Sequence, residues 1–449
     1  MMALETRMLR RDYSRGTRRF LIVALAITLI LTGAAIWLAV VLIGPPPPRS
    51  IAMATDPEGS VSAELGARYR EILATNGIEV RLVPSVGAVE NVARLRDAKS
   101  GIGVAIIPSG ITNHKESPEL VSLGTLFYEP LWFFYRSSLS LKRHEDLKGR
   151  RISIGPEGSG THALAVKFLA RVGIIDQTAT LLTFAPQEAS EKLLHGDVDA
   201  AVMLAPWESP IIRKLIATDG VQLPSLPRAD AFVALFPFLN KVVLPAGVGD
   251  MVHNRPPNDV TLVAPKASLI VRSDLHPAIQ YLLLEAAVQI HSGPGMFHKA
   301  GEFPAAEAID LPLSQHARQF YKTGPPFLQR HLPFGLAVLA QQLLVILIPV
   351  LGVMYPLLRF LPALYAWAMR RRVFKLYGEL KHLEDQLVSR SAQQDMGDLV
   401  SRLDRLEERA SRFRLPVSFR PLLYALRLHI DLVRHRLQSR ETSVSKATG

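Results

Sequence analysis

Apolar residues run without a single charge in two long stretches, 20–43 and 332–358, while between them they come in short runs separated by turn residues. The first stretch, FLIVALAITLILTGAAIWLAVVLI, has 24 positions. At about 1.5 Å per residue it reaches roughly 36 Å, more than a hydrocarbon core of about 30 Å, and it predicts a transmembrane helix. The second stretch is also long enough, although Gln341, Gln342, Pro349 and Pro356 make it less apolar and predict a kink. A cleaved signal peptide is the alternative for the first run, but signal cores are about 7–15 residues long and this one continues past Gly33, Ala34 and Ala35. An uncleaved anchor is the better expectation.

Residues 44–50 begin GPPPPR, a stiff polyproline spacer. The pattern then changes to alternating strands and helices. Residues 51–54 predict a strand, 55–60 a loop, and 63–76 a helix with Leu65, Tyr69, Ile72 and Leu73 at helical spacing. A strand at 79–84, a helix at 89–97 and a buried strand at 103–107 follow. The same rhythm returns at 151–155 (strand), 159–173 (helix), 181–184 (strand), 186–195 (helix) and 200–204 (strand). Two such sets predict two α/β lobes, the first about 51–135 with 260–330 and the second about 136–259. Crossovers are expected through 131–147 and 232–262, with 267–271 rejoining the first lobe. Between parallel-rich lobes, ligands sit beyond the carboxyl ends of the strands.

Beyond the second run, Leu376, Leu380, Leu383 and Leu387, then Leu399, Leu403, Leu406, Ala410 and Phe413, keep amphipathic helical spacing in a tail at 359–449. A short coiled coil is one expectation. Pro416 and Pro421 precede a third basic amphipathic helix at 422–437, suited to anionic lipid, to a partner, or to packing on the other two.

Charge orients these segments. The chain carries a formal +12, of which residues 1–19 hold +4 (six Lys/Arg, two Asp/Glu) and residues 359–449 hold +8 (eighteen against ten). Residues 20–358 are therefore neutral. Basic flanks stay cytoplasmic, so both termini are expected on the cytoplasmic side of the membrane and the domain at 51–330 outside. A basic chain invites a nucleic-acid reading, but here the charge is juxtamembrane and no nucleic-acid partner is expected. The chain has no cysteine, which excludes disulfides and thiolate chemistry, and the histidines form no zinc-hydrolase pattern. No enzyme and no cofactor is implied.

Candidate chemistry lies in three loops. Gly155-Pro156-Glu157-Gly158-Ser159-Gly160-Thr161 joins a strand to a helix: glycines admit close backbone approach, Ser159 and Thr161 supply hydroxyls and an N-cap, and the helix start favours an anion. A plain N-cap with tight turning is the competing explanation. Thr55 to Ser60 (TDPEGS) holds the corresponding place in the first lobe. In Ser85 to Asn91, Glu90 and Asn91 offer an acceptor and an amide, or Glu90 is simply a first-turn carboxylate. Met203 and Trp207 are candidates for a pocket wall or for core.

These loops, taken in order, resemble the TAXI family of TRAP-transporter solute-binding subunits, within the type II periplasmic-binding-protein superfamily that includes NMT1-like proteins. The likeness rests on Gly59-Ser60 and its helix, on Gly87 to Asn91 as a version of G-S-V-E-N, on Asp146-Leu147-Lys148-Gly149 leading to Gly158-Ser159-Gly160-Thr161, and on Gly196-Asp197-Val198-Asp199-Ala200-Ala201. It implies a two-lobe α/β fold that captures a small, often carboxylated solute or amino acid and hands it to membrane permease subunits. Carried over, the implied ligand contacts are Ser60, Glu90, Asn91, Ser159, Gly160 and Thr161. Ala88 replaces the usual Ser, and Val61 and Ser62 replace Gly/Tyr positions. The second apolar run and tail exceed a simple tethered receptor, and a membrane sensor or scaffold is the rival expectation.

Overall fold

A computed structural model describes residues 15–43, 46–139, 144–325, 327, 334–388, 396–412 and 419–447. Most of the basic N-terminus, the first two spacer positions, Gln329 and Arg330 with the start of the second apolar run, and Phe413 and Pro416 lie outside the described residues. The chain forms two compact units, Pro45–Ala340 and a second built from Met1–Gly44 with Gln341–Gly449.

The Pro45–Ala340 unit is a mixed α/β structure with two sheets. In the first, β1 (Ser50–Thr55) lies between and parallel to β2 (Glu79–Pro84) and β3 (Ile102–Pro108). All of β1 but its first residue is buried, as expected of an apolar run covered on both faces. The thirteen-residue β11 (Val260–Arg272) pairs antiparallel with β10 (Leu239–Leu244) through its first half, and with β3 and β4 (Leu120–Tyr128) through its second. Residues 267–271 thus rejoin the first sheet where the sequence places them.

The second sheet runs β7-β6-β8-β5-β9, from β5 (Leu131–Arg136), β6 (Arg151–Ser153), β7 (Thr180–Leu182), β8 (Ala200–Leu204) and β9 (Val221–Gln222). β6 is parallel to β7 and β8, while β5 is antiparallel to β8 and β9. Leu131–Arg136 is a strand of this second sheet rather than a crossover, because Trp132 and Phe134 insert fully into its core. The link expected at 232–262 likewise contains β10.

The long helix Phe334–Val388, which belongs to the other unit from Gln341 onward, runs as one element through Pro349, Pro356 and Pro362. Among the described residues no helix is long and apolar enough to cross a membrane, so the structure does not show the spans expected at 20–43 and 332–358. The tail is a three-helix cluster rather than a demonstrated coiled coil. Leu376, Leu380 and Leu383 meet Leu399, Leu403, Leu406 and Ala410 of Met396–Arg412. Leu426, Ile430 and Val433 of Arg420–Ala447 complete the core, so the third helix spends this apolar stripe on its neighbours. Ion pairs from Arg434 to Asp404 (2.5 Å) and from Arg436 to Glu384 (2.7 Å) reinforce the packing.

Candidate ligand-binding cleft

Three strands of the Pro45–Ala340 unit end in loops that start helices. β1 leads through Asp56 to Ser60, the N-cap of Val61–Thr75, whose Oγ accepts a hydrogen bond from the Ala63 amide at 3.2 Å. β6 leads to Ser159, the N-cap of Gly160–Arg171, whose Oγ accepts from the His162 amide (3.1 Å) and donates to the Pro156 carbonyl (2.7 Å). β2 leads to Ser85 and Gly87, ahead of Ala88–Arg96. The first and third loops face the second across a cleft with a cavity volume of about 540 Å³.

The lobes meet where these loops approach each other. The Gly158 carbonyl accepts from the amides of Val89 (3.0 Å) and Glu90 (3.2 Å), so one lobe caps the helix start of the other. Gly87 has φ 151°, and a Cβ there would stand 2.8 Å from the Ser159 Cα. Gly160 comes similarly close, with a Cβ 3.3 Å from that of Ala88.

Two carboxyl groups line this space, with no basic side chain beside them among the described residues. Burial pushes Asp56 up to about 6, an effect the Asn91 amide, donating at 3.3 Å, partly offsets. Glu129, at the end of β4, is partly open to the cleft yet deep enough that desolvation, helped by the charge of Asp56, raises it to about 8. No hydrogen bond to its carboxylate is found among the described residues, whereas Asp56 is held in place. Asn91 is fully buried and accepts from Ser85 Oγ at 2.6 Å, which fixes the amide that orients Asp56.

Of the six residues implied by the family likeness, Ser60, Ser159, Gly160 and Thr161 line the cleft. Asn91 stands behind the wall, one hydrogen bond from Asp56. Glu90 does not line it: its carboxylate accepts from the Val86 amide (2.7 Å) and pairs with Arg94 (2.5 Å), and these partners lower its pKa, the Val86 bond most. The first-turn explanation describes it. Thr161 Oγ1 accepts from the Leu204 amide at 3.1 Å, holding the end of β8 against the helix start. Met203 is core, and Trp207 packs beside Trp132 away from the cleft. Asp56 lay unremarked inside the TDPEGS loop. Glu129, in the FYEPLW link between two strands, carried no sequence signal.

Solved structures to which the chain is similar include the alkanesulfonate-binding protein SsuA of Xanthomonas axonopodis pv. citri bound to MOPS, 20% identical with a TM-score of 0.32. That match covers 40% of this chain and 61% of the other, so the chain spans less than two thirds of that protein's length. The aliphatic sulphonate binding protein SsuA of Escherichia coli is 13% identical over 70% of this chain and 83% of its own, with a TM-score of 0.35. The VFT2 domain of Bordetella pertussis BvgS is also 13% identical, over 54% and 88%, with a TM-score of 0.34. At the level of sequence, the NMT1-like family profile matches residues 60–323, from the Ser60 cap through both lobes to the last helix of the α/β unit. With more than half of its length matched, the protein belongs to the NMT1-like family.

Proposed function

We propose that this protein is a membrane-anchored extracytoplasmic solute-binding protein of a TRAP-type (TAXI) transport system, which traps a small solute between its lobes and delivers it to permease subunits. The observation that carries the reading is the pair of helix-starting loops, one from each lobe, facing each other across a cavity of about 540 Å³. Ser60, Ser159, Gly160 and Thr161 are its proposed contacts, and Asn91 positions Asp56 behind them. Glu90 is withdrawn from the set because Val86 and Arg94 already occupy it.

Anchoring in the inner membrane with both termini cytoplasmic is supported by the sequence. Residues 20–43 carry no charge within the 29-residue helix Arg15–Ile43, and Ile30 and Trp37 on that helix are exposed. The whole +12 resides in the two ends of the chain.

The test is a thermal-shift screen of the purified full-length protein against small metabolites. A ligand that binds only the folded state raises its melting temperature. Silence across a broad screen sinks the binding role. A sensor or scaffold is the second reading, favoured by a tail with its own buried core. Co-purification with large multi-span subunits supports transport; recovery with a cytoplasmic regulator instead supports signalling.

A further inference from the structure

The family likeness implies a carboxylated solute, but the cleft is built with the opposite chemistry. Its walls carry Asp56 and Glu129 and, among the described residues, no Lys, Arg or His. The remaining walls, at 85–88, 159–161, 185–187 and 204–211, contribute no ionisable side chain to the lining. The start of Ala88–Arg96 is closed to an anion, since the amides of Val89 and Glu90 donate to the Gly158 carbonyl, and at the start of Val61–Thr75 the carboxyl group of Asp56 stands in the same loop. The hydroxyls of Ser159 and Thr161 are engaged within their own lobe. An acid that gains no hydrogen bond from the protein, beside a second acid, leaves acceptor capacity facing an enclosed space.

We infer that the cleft selects a solute bearing an ammonium or guanidinium group and no net negative charge, with Asp56 and Glu129 as its counter-ions. The inference rests on the solute-binding reading and names the ligand class of that same site. A cation would supply the donors that Glu129 lacks and would favour the ionised form of both acids. An anionic solute would meet two carboxyl groups and no balancing cation.

The sign of proton linkage separates the possibilities. Near neutral pH Glu129 holds a proton, so a cation that pairs with it must expel that proton, and affinity rises as pH goes from 6 to 8.5. A carboxylate bound through a protonated Glu129 weakens over the same range. The experiment is calorimetry on the full-length protein at pH 6, 7 and 8.5 with arginine and putrescine as cationic probes, succinate and methanesulfonate as anions, and glucose as a neutral control.

The expected result is binding of at least one cationic probe, tightening by roughly 50- to 100-fold between pH 6 and 8.5 as Glu129 gives up its proton. Its heat should depend on the buffer's ionisation enthalpy in the sense of proton release. Asp56→Asn and Glu129→Gln should each weaken that probe about tenfold or more while melting as cooperatively as the parent, and the Glu129 change should flatten the pH dependence. Binding of succinate or methanesulfonate in preference overturns the charge inference and leaves solute binding standing. So does glucose binding without pH dependence. If none of the five probes binds, the charge inference falls, and solute binding falls with it only if the broad metabolite screen is silent as well.

Discussion

The loops after β1 and β6 share one design, a strand ending in a Gly-Ser turn that caps a helix, yet they put their side chains to different uses. In the second lobe everything is turned inward. Ser159 makes two hydrogen bonds within its own loop, Thr161 ties down Leu204, and Gly155, at φ 82°, lets the chain pass where a Cβ would stand 2.9 Å from that of Thr161. In the first lobe Ser60 makes a single capping bond, Gly59 has open space around it, and Asp56 turns a carboxyl group toward the cleft. One loop is a scaffold that offers backbone; the other supplies charge. Similar strand–loop–helix patterns therefore do not imply equivalent halves of a site, and the hydroxyls most visible in the sequence are the ones least free to meet a ligand.

The largest effect should come from removing the charge concentrated on the first-lobe wall. Glu129 has a folded pKa of about 8 against an ordinary value of 4.5, so between those limits the folded protein keeps a proton that the unfolded chain has lost. Its contribution to stability is complete below about 4.5 and is lost as the pH rises through 8. Asp56 follows the same sign between 3.8 and about 6. Glu129→Gln should therefore stabilise the protein at pH 8.5 by on the order of 2–4 kcal/mol, with little difference near pH 4.5. Urea unfolding at pH 4.5, 7 and 8.5 measures it. Parallel stability curves for parent and variant would show that Glu129 is solvated and that the first-lobe wall is not specially charged.

A smaller but more geometric effect is expected where the two loops meet. Gly87→Ala would put a Cβ 2.8 Å from the Ser159 backbone at a φ of 151°, which side chains rarely adopt. Strain of this kind costs about 1–3 kcal/mol unless the lobes part. Either a lower melting temperature or a larger radius of gyration in solution scattering should result, the latter through loss of the Val89 and Glu90 bonds to Gly158. A variant unchanged in both would mean the lobes do not meet at this point.

The sequence made the scaffold legible and the site only in part, and the reasons are physical. β1 and β8 were readable because covered strands are continuous apolar runs, and the tail because Leu376, Leu380 and Leu383 repeat at helical spacing. β5 does not read as a strand because LWFFYR carries no clean alternation: Trp132 and Phe134 pack into one apolar cluster while Phe133 and Tyr135 pack into another, so both faces are covered. Glu90 is instructive in another way: Arg94 lies four residues on, a spacing that favours a helical ion pair and that was visible in the sequence. Glu129 had no such signal. Its environment is made by Asp56, 73 positions earlier, and by burial that only the assembled sheets create.

The finest distinction between the loops concerns their caps. Ser159 Oγ both accepts from His162 and donates to Pro156, while Ser60 Oγ only accepts from Ala63. Removing an N-cap hydroxyl costs about 1 kcal/mol, and the added bond to a carbonyl on a largely buried side chain should increase that. Ser159→Ala is therefore expected to destabilise the full-length protein by about 1–2 kcal/mol and Ser60→Ala by about 0.5–1 kcal/mol, measured by chemical denaturation at pH 5, where Glu129 is protonated in the folded protein. If the scaffold role is right, Ser159→Ala should lower stability more than Ser60→Ala and should leave the pH dependence of any ligand affinity unchanged, since neither hydroxyl takes part in the proton exchange at Glu129. Equal costs, or a pH profile altered by Ser159→Ala, would show that the second loop takes a direct part in the charge balance of the cleft.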